Sequence, residues 1–100
     1  MTLETKMMEK QLQIILTGSI FVEDAQETKE TLTTIIDEGN IDFLIDLSRV
    51  DYIDSSGLGM LVSVNKLAVK KGGGVIIKGL QGIVKELFEL TRMNRVFEIQ

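Results

Sequence analysis

The chain has 100 residues, the length of one domain, with a formal net charge of -4 and no His, Cys, Pro or Trp. Without His or Cys it has no Ser-His-Asp or Cys-His catalytic set and no ordinary zinc site. Its longest basic cluster is Lys70-Lys71, far short of the positive face that nucleic acid requires.

The opening segment 1–10 carries acidic residues and no apolar block, so it does not read as a secretion signal. Residues 3–8 and 11–17 read as two strands around a tight turn at Glu9-Lys10. Leu12, Ile14 and Leu16 alternate with Gln13, Ile15 and Thr17, and Thr17-Gly18 closes the second strand. Residues 23–38 read as a helix with Ala25, Thr28, Leu32, Ile35 and Ile36 on one face. Glu23, Asp24 and Glu27 suit the positive end of its dipole, and Gly39-Asn40 stops it.

The clearest strand is 41–47, where Ile41, Phe43, Ile45 and Leu47 share a face. Leu44 adds apolar surface to the other face, as a central strand requires. Residues 48–57 read as a loop that opens a helix over about 57–71, ended by Gly72-Gly73-Gly74. Residues 75–78 form a short buried strand. Residues 80–91 form a third helix with Leu80, Ile83, Val84, Leu87, Phe88 and Thr91 inward, and 96–99 are a last strand. The order β-β-α-β-α-β-α-β, with no linker or repeat, predicts one α/β domain over residues 1–100. An opening hairpin plus crossovers makes its sheet mixed. No apolar run reaches the roughly 20 residues that span a bilayer, so a cytoplasmic protein without a membrane partner is expected. No calcium loop or G-x-x-x-x-G-K-[ST] motif occurs either. A non-enzymatic protein with no cofactor or metal follows.

One segment carries specific chemistry. Asp54-Ser55-Ser56-Gly57-Leu58-Gly59 lies where a strand region feeds a helix, the place where open α/β sheets build sites. Ser56 is placed as the N-cap, accepting from the Gly59 N–H. Ser55 then lies just outside the helix with its hydroxyl free. A phosphate on it would meet the helix's unsatisfied N–H groups. Asp-Ser-Ser before a helix is also what a plain cap looks like, and the residues alone favour that reading. Gly57 and Gly59 admit two explanations: close packing of helix on sheet, or close approach of another chain. The helix itself is apolar around much of its circumference. Leu58, Leu61, Val62 and Val69 suit the core. Met60, Val64 and Leu67 form a second stripe, either buried or a partner surface.

Asp46-Leu47-Ser48-Arg49-Val50 followed by Tyr52-Ile53-Asp54-Ser55-Ser56-Gly57-Leu58-Gly59 resembles the signature of the STAS domain of anti-sigma factor antagonists. Ile15-Leu16-Thr17-Gly18 is similar to that family's second strand, and 87–91 with 94–99 to its C-terminal stretch. The resemblance implies a partner switch. The unphosphorylated antagonist binds an anti-sigma factor that is also a serine kinase, and so frees the sigma factor. The kinase phosphorylates the first serine of the motif, here Ser55, and a serine phosphatase reverses this. Asp54, Ser56 and Gly57 are then neighbours of the phosphosite. Asp51, Gly59, Met60, Val64 and Leu67 are expected on the partner-binding surface. Three departures stand out. Arg92 occupies a position where many relatives have Gly, Ser19-Ile20-Phe21-Val22 lacks the usual Glu-Leu-Asp, and the family often carries a further C-terminal helix. Two other readings compete: a STAS subunit of a lipid-transport or signalling assembly that is never phosphorylated, and a receiver-like domain using Asp46.

Overall fold

Strand pairing in the middle of the chain organises everything else. The computed structural model describes residues 1–100. It contains β1 (Thr2–Met7), β2 (Leu12–Ile20), α1 (Val22–Asp37), β3 (Asp42–Ile53), α2 (Ser55–Lys70), β4 (Gly74–Lys78), α3 (Gly82–Leu90), a 3-10 turn (Met93–Arg95) and β5 (Glu98–Ile99). The five strands lie in the order β1-β2-β3-β4-β5. β1 runs antiparallel to β2, and every other neighbour pair is parallel. The mixed sheet and the element order agree with the sequence reading. No helix is long and apolar enough to cross a membrane.

Each crossover advances one strand in the same direction. Right-handed connections therefore place α1, α2 and α3 on one face. The core confirms it. Ile14 and Leu16 of β2, Phe43 and Ile45 of β3, and Ile77 of β4 join Leu32, Leu61 and Phe88 of the three helices in one buried cluster. Phe88 packs on Phe97, with ring centroids 6.2 Å apart. The alternate residues Gln13, Ile15, Leu44, Asp46, Ile76 and Lys78 point to the opposite face. Leu44 is buried there, yet lies outside the cluster.

β3 does not end at Leu47 as its pattern suggested; it continues to Ile53. Two bulges explain the difference. Ile15 pairs with Asp46 and Thr17 with Arg49; Gly18 pairs with Val50 and Ser19 with Tyr52. β3 gains one extra residue at each step. Its buried residues Leu47, Val50 and Ile53 are consequently spaced by three, and the period-two signature of a strand disappears. Downstream, Val69, Ile83 and Thr91 are exposed rather than inward. α3 has only nine residues, so it buries little beyond Val84 and Phe88.

The first bulge is tied to the entry of α3. The Asp46 carboxylate accepts from the Ser48 N–H at 2.9 Å, and the Gln81 side-chain amide donates to the Ser48 carbonyl at 2.6 Å. Gly79, at φ +79°, lies against both; a Cβ there would come within 2.7 Å of the Asp46 carboxylate. Burial alone raises the Asp46 pKa. Hydrogen bonds from the Ser48 backbone and side chain, with the charges of Lys78 and Arg49, outweigh it and hold the carboxyl below its ordinary value. Arg92 has its own constraint: at φ 58° it is the one non-glycine residue in left-handed backbone.

Two predictions follow from these contacts. The ionised Asp46 stabilises the fold above the ordinary carboxylate range, and that contribution is lost as pH falls through its lowered folded-state pKa. Asp46→Asn should therefore reduce denaturant stability at neutral pH, and the gap to wild type should close below about pH 4. Arg92→Gly should raise the unfolding free energy by up to about 1 kcal/mol, because left-handed backbone costs an L side chain roughly that much. Urea titrations at several pH values measure both.

Candidate functional site

Two strand-to-helix junctions lie side by side at the carboxyl end of the parallel strands. The Asp54 N–H donates to the Ile20 carbonyl at 3.3 Å, which ties the start of α2 to the start of α1. Above this bond the rings of Phe21 and Tyr52 meet at 5.8 Å, tilted by 39°. α1 begins at once because the Asp24 carboxylate accepts from the Phe21 N–H at 3.1 Å.

The cap of α2 is Asp54, not Ser56. Its backbone is extended, and its carboxylate accepts from the Gly57 N–H at 3.1 Å. The reason is the length of β3. Pairing holds the chain extended through Ile53, so the first residue free to cap is Asp54. Ser55 is therefore the first helical residue, within the helix rather than before it, and it is exposed. Ser56 follows it, half-buried. A phosphate on Ser55 would lie in the positive first turn of α2. It would also lie beside Asp54, whose carboxylate caps the same turn.

The two glycines have different jobs. Gly57 is buried, and a Cβ there would strike the Ile53 side chain and come within 3.1 Å of the Ile20 side chain. It lets α2 sit down on the sheet. Gly59 is exposed, and a Cβ there would meet nothing within 4 Å. Nothing inside the protein requires Gly59 to be small. It lines a groove of about 350 Å³ between α1 and α2 with Val22, Gln26, Lys29, Ser56 and Ser63.

The structure removes two members of the second apolar stripe of α2 from the expected partner surface. Met60 and Val64 are only 4% and 1% exposed, and Leu67 is half-buried against the core. Met60 and Val64 are committed to the core and offer almost no surface, whereas Leu67 keeps part of its side chain accessible. The accessible apolar groups come from the loops instead: Phe21, Val22 and Tyr52 are 48%, 54% and 38% exposed. Sequence periodicity missed them because none belongs to a regular stripe. In the sequence, Phe21-Val22 stands out only as a departure from the usual loop. Asp46, the residue a receiver-like site would use, has its carboxylate occupied with Ser48. No three His, Cys, Asp or Glu residues converge on a common point.

Three helices thus cover one face of a mixed sheet, and an exposed serine follows the Asp54 cap at a strand-to-helix junction. The profile of the STAS domain matches residues 3–100, and the chain belongs to the STAS domain family. Among individual relatives, the anti-sigma-B factor antagonist of Bacillus subtilis (strain 168) is 31% identical over 96 residues, spanning 96% of this chain and 87% of that one. A crystal structure of a candidate anti-sigma factor antagonist from Thermotoga maritima superposes with a TM-score of 0.91 at 22% identity, covering 97% of this chain and 84% of that one. The anti-sigma factor antagonist SpoIIAA of Bacillus superposes in its unphosphorylated form with a TM-score of 0.79 and in its phosphorylated form with 0.78, both at 16% identity. Each match covers 99% of this chain, and 87% and 91% of the respective SpoIIAA chains.

The unequal roles of the glycines give substitutions of opposite sign. Gly57→Ala should destabilise by about 1–3 kcal/mol through overpacking against Ile53 and Ile20. Gly59→Ala should stabilise by about 0.5–1 kcal/mol, the helix propensity difference with no clash to oppose it. Thermal melts of the two variants beside wild type test the division.

Proposed function

We propose that this protein is a cytoplasmic, non-enzymatic anti-sigma factor antagonist whose partner binding is switched off by phosphorylation of Ser55. The observation that carries the reading is the placement of Ser55. It is an exposed hydroxyl in the first turn of α2, where a kinase can reach it without unfolding its carrier.

In this reading the unphosphorylated protein binds an anti-sigma factor serine kinase and thereby frees the sigma factor. The docking surface is the end of the domain around Ser55: Asp51 and Gly59, with the exposed Phe21, Val22 and Tyr52. The apolar groups supply contact area, and Gly59 lets the partner approach the helix backbone. Phosphorylation adds about -1.5 to -2 charge to that surface. The added charge stands beside Asp54, in an interface fitted to a neutral hydroxyl, and removes affinity by like-charge repulsion and desolvation. A serine phosphatase restores the binding form. Asp54, Ser56 and Gly57 shape the phosphosite rather than react.

Incubation with ATP and the purified anti-sigma factor kinase of the same organism tests the reading. Mass spectrometry should place the phosphate on Ser55, and Ser55→Ala should abolish it. Ser55→Asp should keep its melting temperature while losing about a hundredfold in kinase affinity, the equivalent of about 3 kcal/mol. Phosphate elsewhere only, or equal affinity for both forms, would overturn the proposal.

A further inference from the structure

The free edge of β1 carries a pattern that neither the core nor the Ser55 surface uses. β1 pairs with β2 on one side only, so the backbone groups along its other edge are open to another strand. Its side chains alternate. Leu3, Thr5 and Met7 stand opposite Leu16, Ile14 and Leu12 on the helix-bearing face, whereas Glu4 and Lys6 stand opposite Ile15 and Gln13 on the other. Glu4 and Lys6 are both exposed, and neither belongs to the ion pairs within the chain, Met1–Asp24 and Lys71–Asp37.

We propose that β1 is a self-association edge: two copies of this chain pair their β1 strands antiparallel, with Thr5 on the two-fold axis. The register follows from parity and charge. An antiparallel ladder joins residues whose backbone groups point outward together, so a symmetric pair must centre on a residue. Centring on Glu4 sets it against its own copy, and centring on Lys6 does the same for the lysine. Like charges directly opposite one another are destabilising. Centring on Thr5 sets Glu4 against Lys6 of the second copy, twice by symmetry. It also sets Leu3 against Met7 of the second copy on the helix-bearing face.

The apolar pair fits the surface there. Met7 is 66% exposed, with a flexible thioether that adapts to irregular gaps. Opposite it, Leu3 lines a cleft of about 310 Å³ with Met1, Glu27, Thr28 and Thr31 between β1 and α1. An isolated edge lysine ordinarily blocks pairing. Here the neighbouring glutamate converts the same residue into one half of a matched set. The other sheet edge, β5, has two residues and cannot support an equivalent ladder.

The two-fold reverses one copy relative to the other, so the Ser55 surfaces face opposite ends of a continuous ten-strand sheet. Both stay accessible, and self-association is independent of the phosphorylation switch. A five-residue strand addition is a small interface, at the low end for specific complexes, so the dimer is weak and forms in a concentration-dependent way.

Sedimentation equilibrium of the whole chain across a concentration series tests this, with circular dichroism melts as a check on folding. Wild type should show a monomer–dimer equilibrium that weakens with salt. Lys6→Glu alone and Glu4→Lys alone should each weaken dimerisation by about tenfold or more, since each sets like charges opposite one another. Mixing these two variants should restore association, because every position then meets its opposite. A wild type that stays monomeric throughout would overturn the proposal. So would a dimer unmoved by both single substitutions, or a mixture that fails to restore association.

Discussion

The pairing of β2 with β3 through to Ile20 and Ile53 is the constraint on which the rest depends. It holds β3 extended through two bulges to the residue before Asp54. Asp54 is then the first position free to leave the ladder, and its carboxylate becomes the cap of α2. Ser55 enters the first helical turn as a consequence. The same pairing brings Phe21 beside Tyr52, so one interaction assembles both halves of the Ser55 surface. The helix could not slide by a residue without uncapping its start or driving Gly57 out of its seat against Ile53.

This arrangement separates the residues that hold the fold from the exposed residues of the proposed docking surface. Gly57, Met60 and Val64 are committed to packing. Phe21, Val22, Tyr52, Ser55 and Gly59 are exposed within a few residues of them. A change at the exposed group can alter recognition while the core stays intact. That separation suits a protein read in two chemical states. In the proposed switch, a phosphate on Ser55 would sit at a helix start that tolerates negative charge, beside the Asp54 carboxylate that caps the same helix. Under the proposed switch, the modification would be tolerated by its carrier and opposed at the interface.

Charge placement elsewhere follows the same economy. Asp46 spends its carboxylate on Ser48, and with Gln81 and Gly79 it fastens the loop that launches α3. Glu4 and Lys6 have no such internal use and lie on the free edge of the sheet. One acidic residue is structural because a bulge gives it a backbone N–H to hold. The other charges remain available because their strand has a single neighbour.

Much of the molecule was determined by sequence alone. Alternation in 12–17 and 41–47, interrupted only by Ile15 and Leu44, marked the two strands β2 and β3, and Gly39-Asn40 and Gly72-Gly73-Gly74 marked the helix ends. The missing His and Cys removed whole classes of chemistry, and the Asp-Ser-Ser-Gly run pointed to the candidate site at the start of α2. Tertiary structure decided the rest. Bulges changed the spacing of buried residues in β3 from two to three, so no local rule could see that the strand went on or that Asp54, rather than Ser56, would cap α2. Helical periodicity grouped Met60, Val64 and Leu67 correctly, but whether a stripe faces protein or solvent depends on what packs over it, here α1 and the sheet. Gly57 and Gly59 look alike in sequence. They differ because Ile20 and Ile53 stand beside one and open space beside the other.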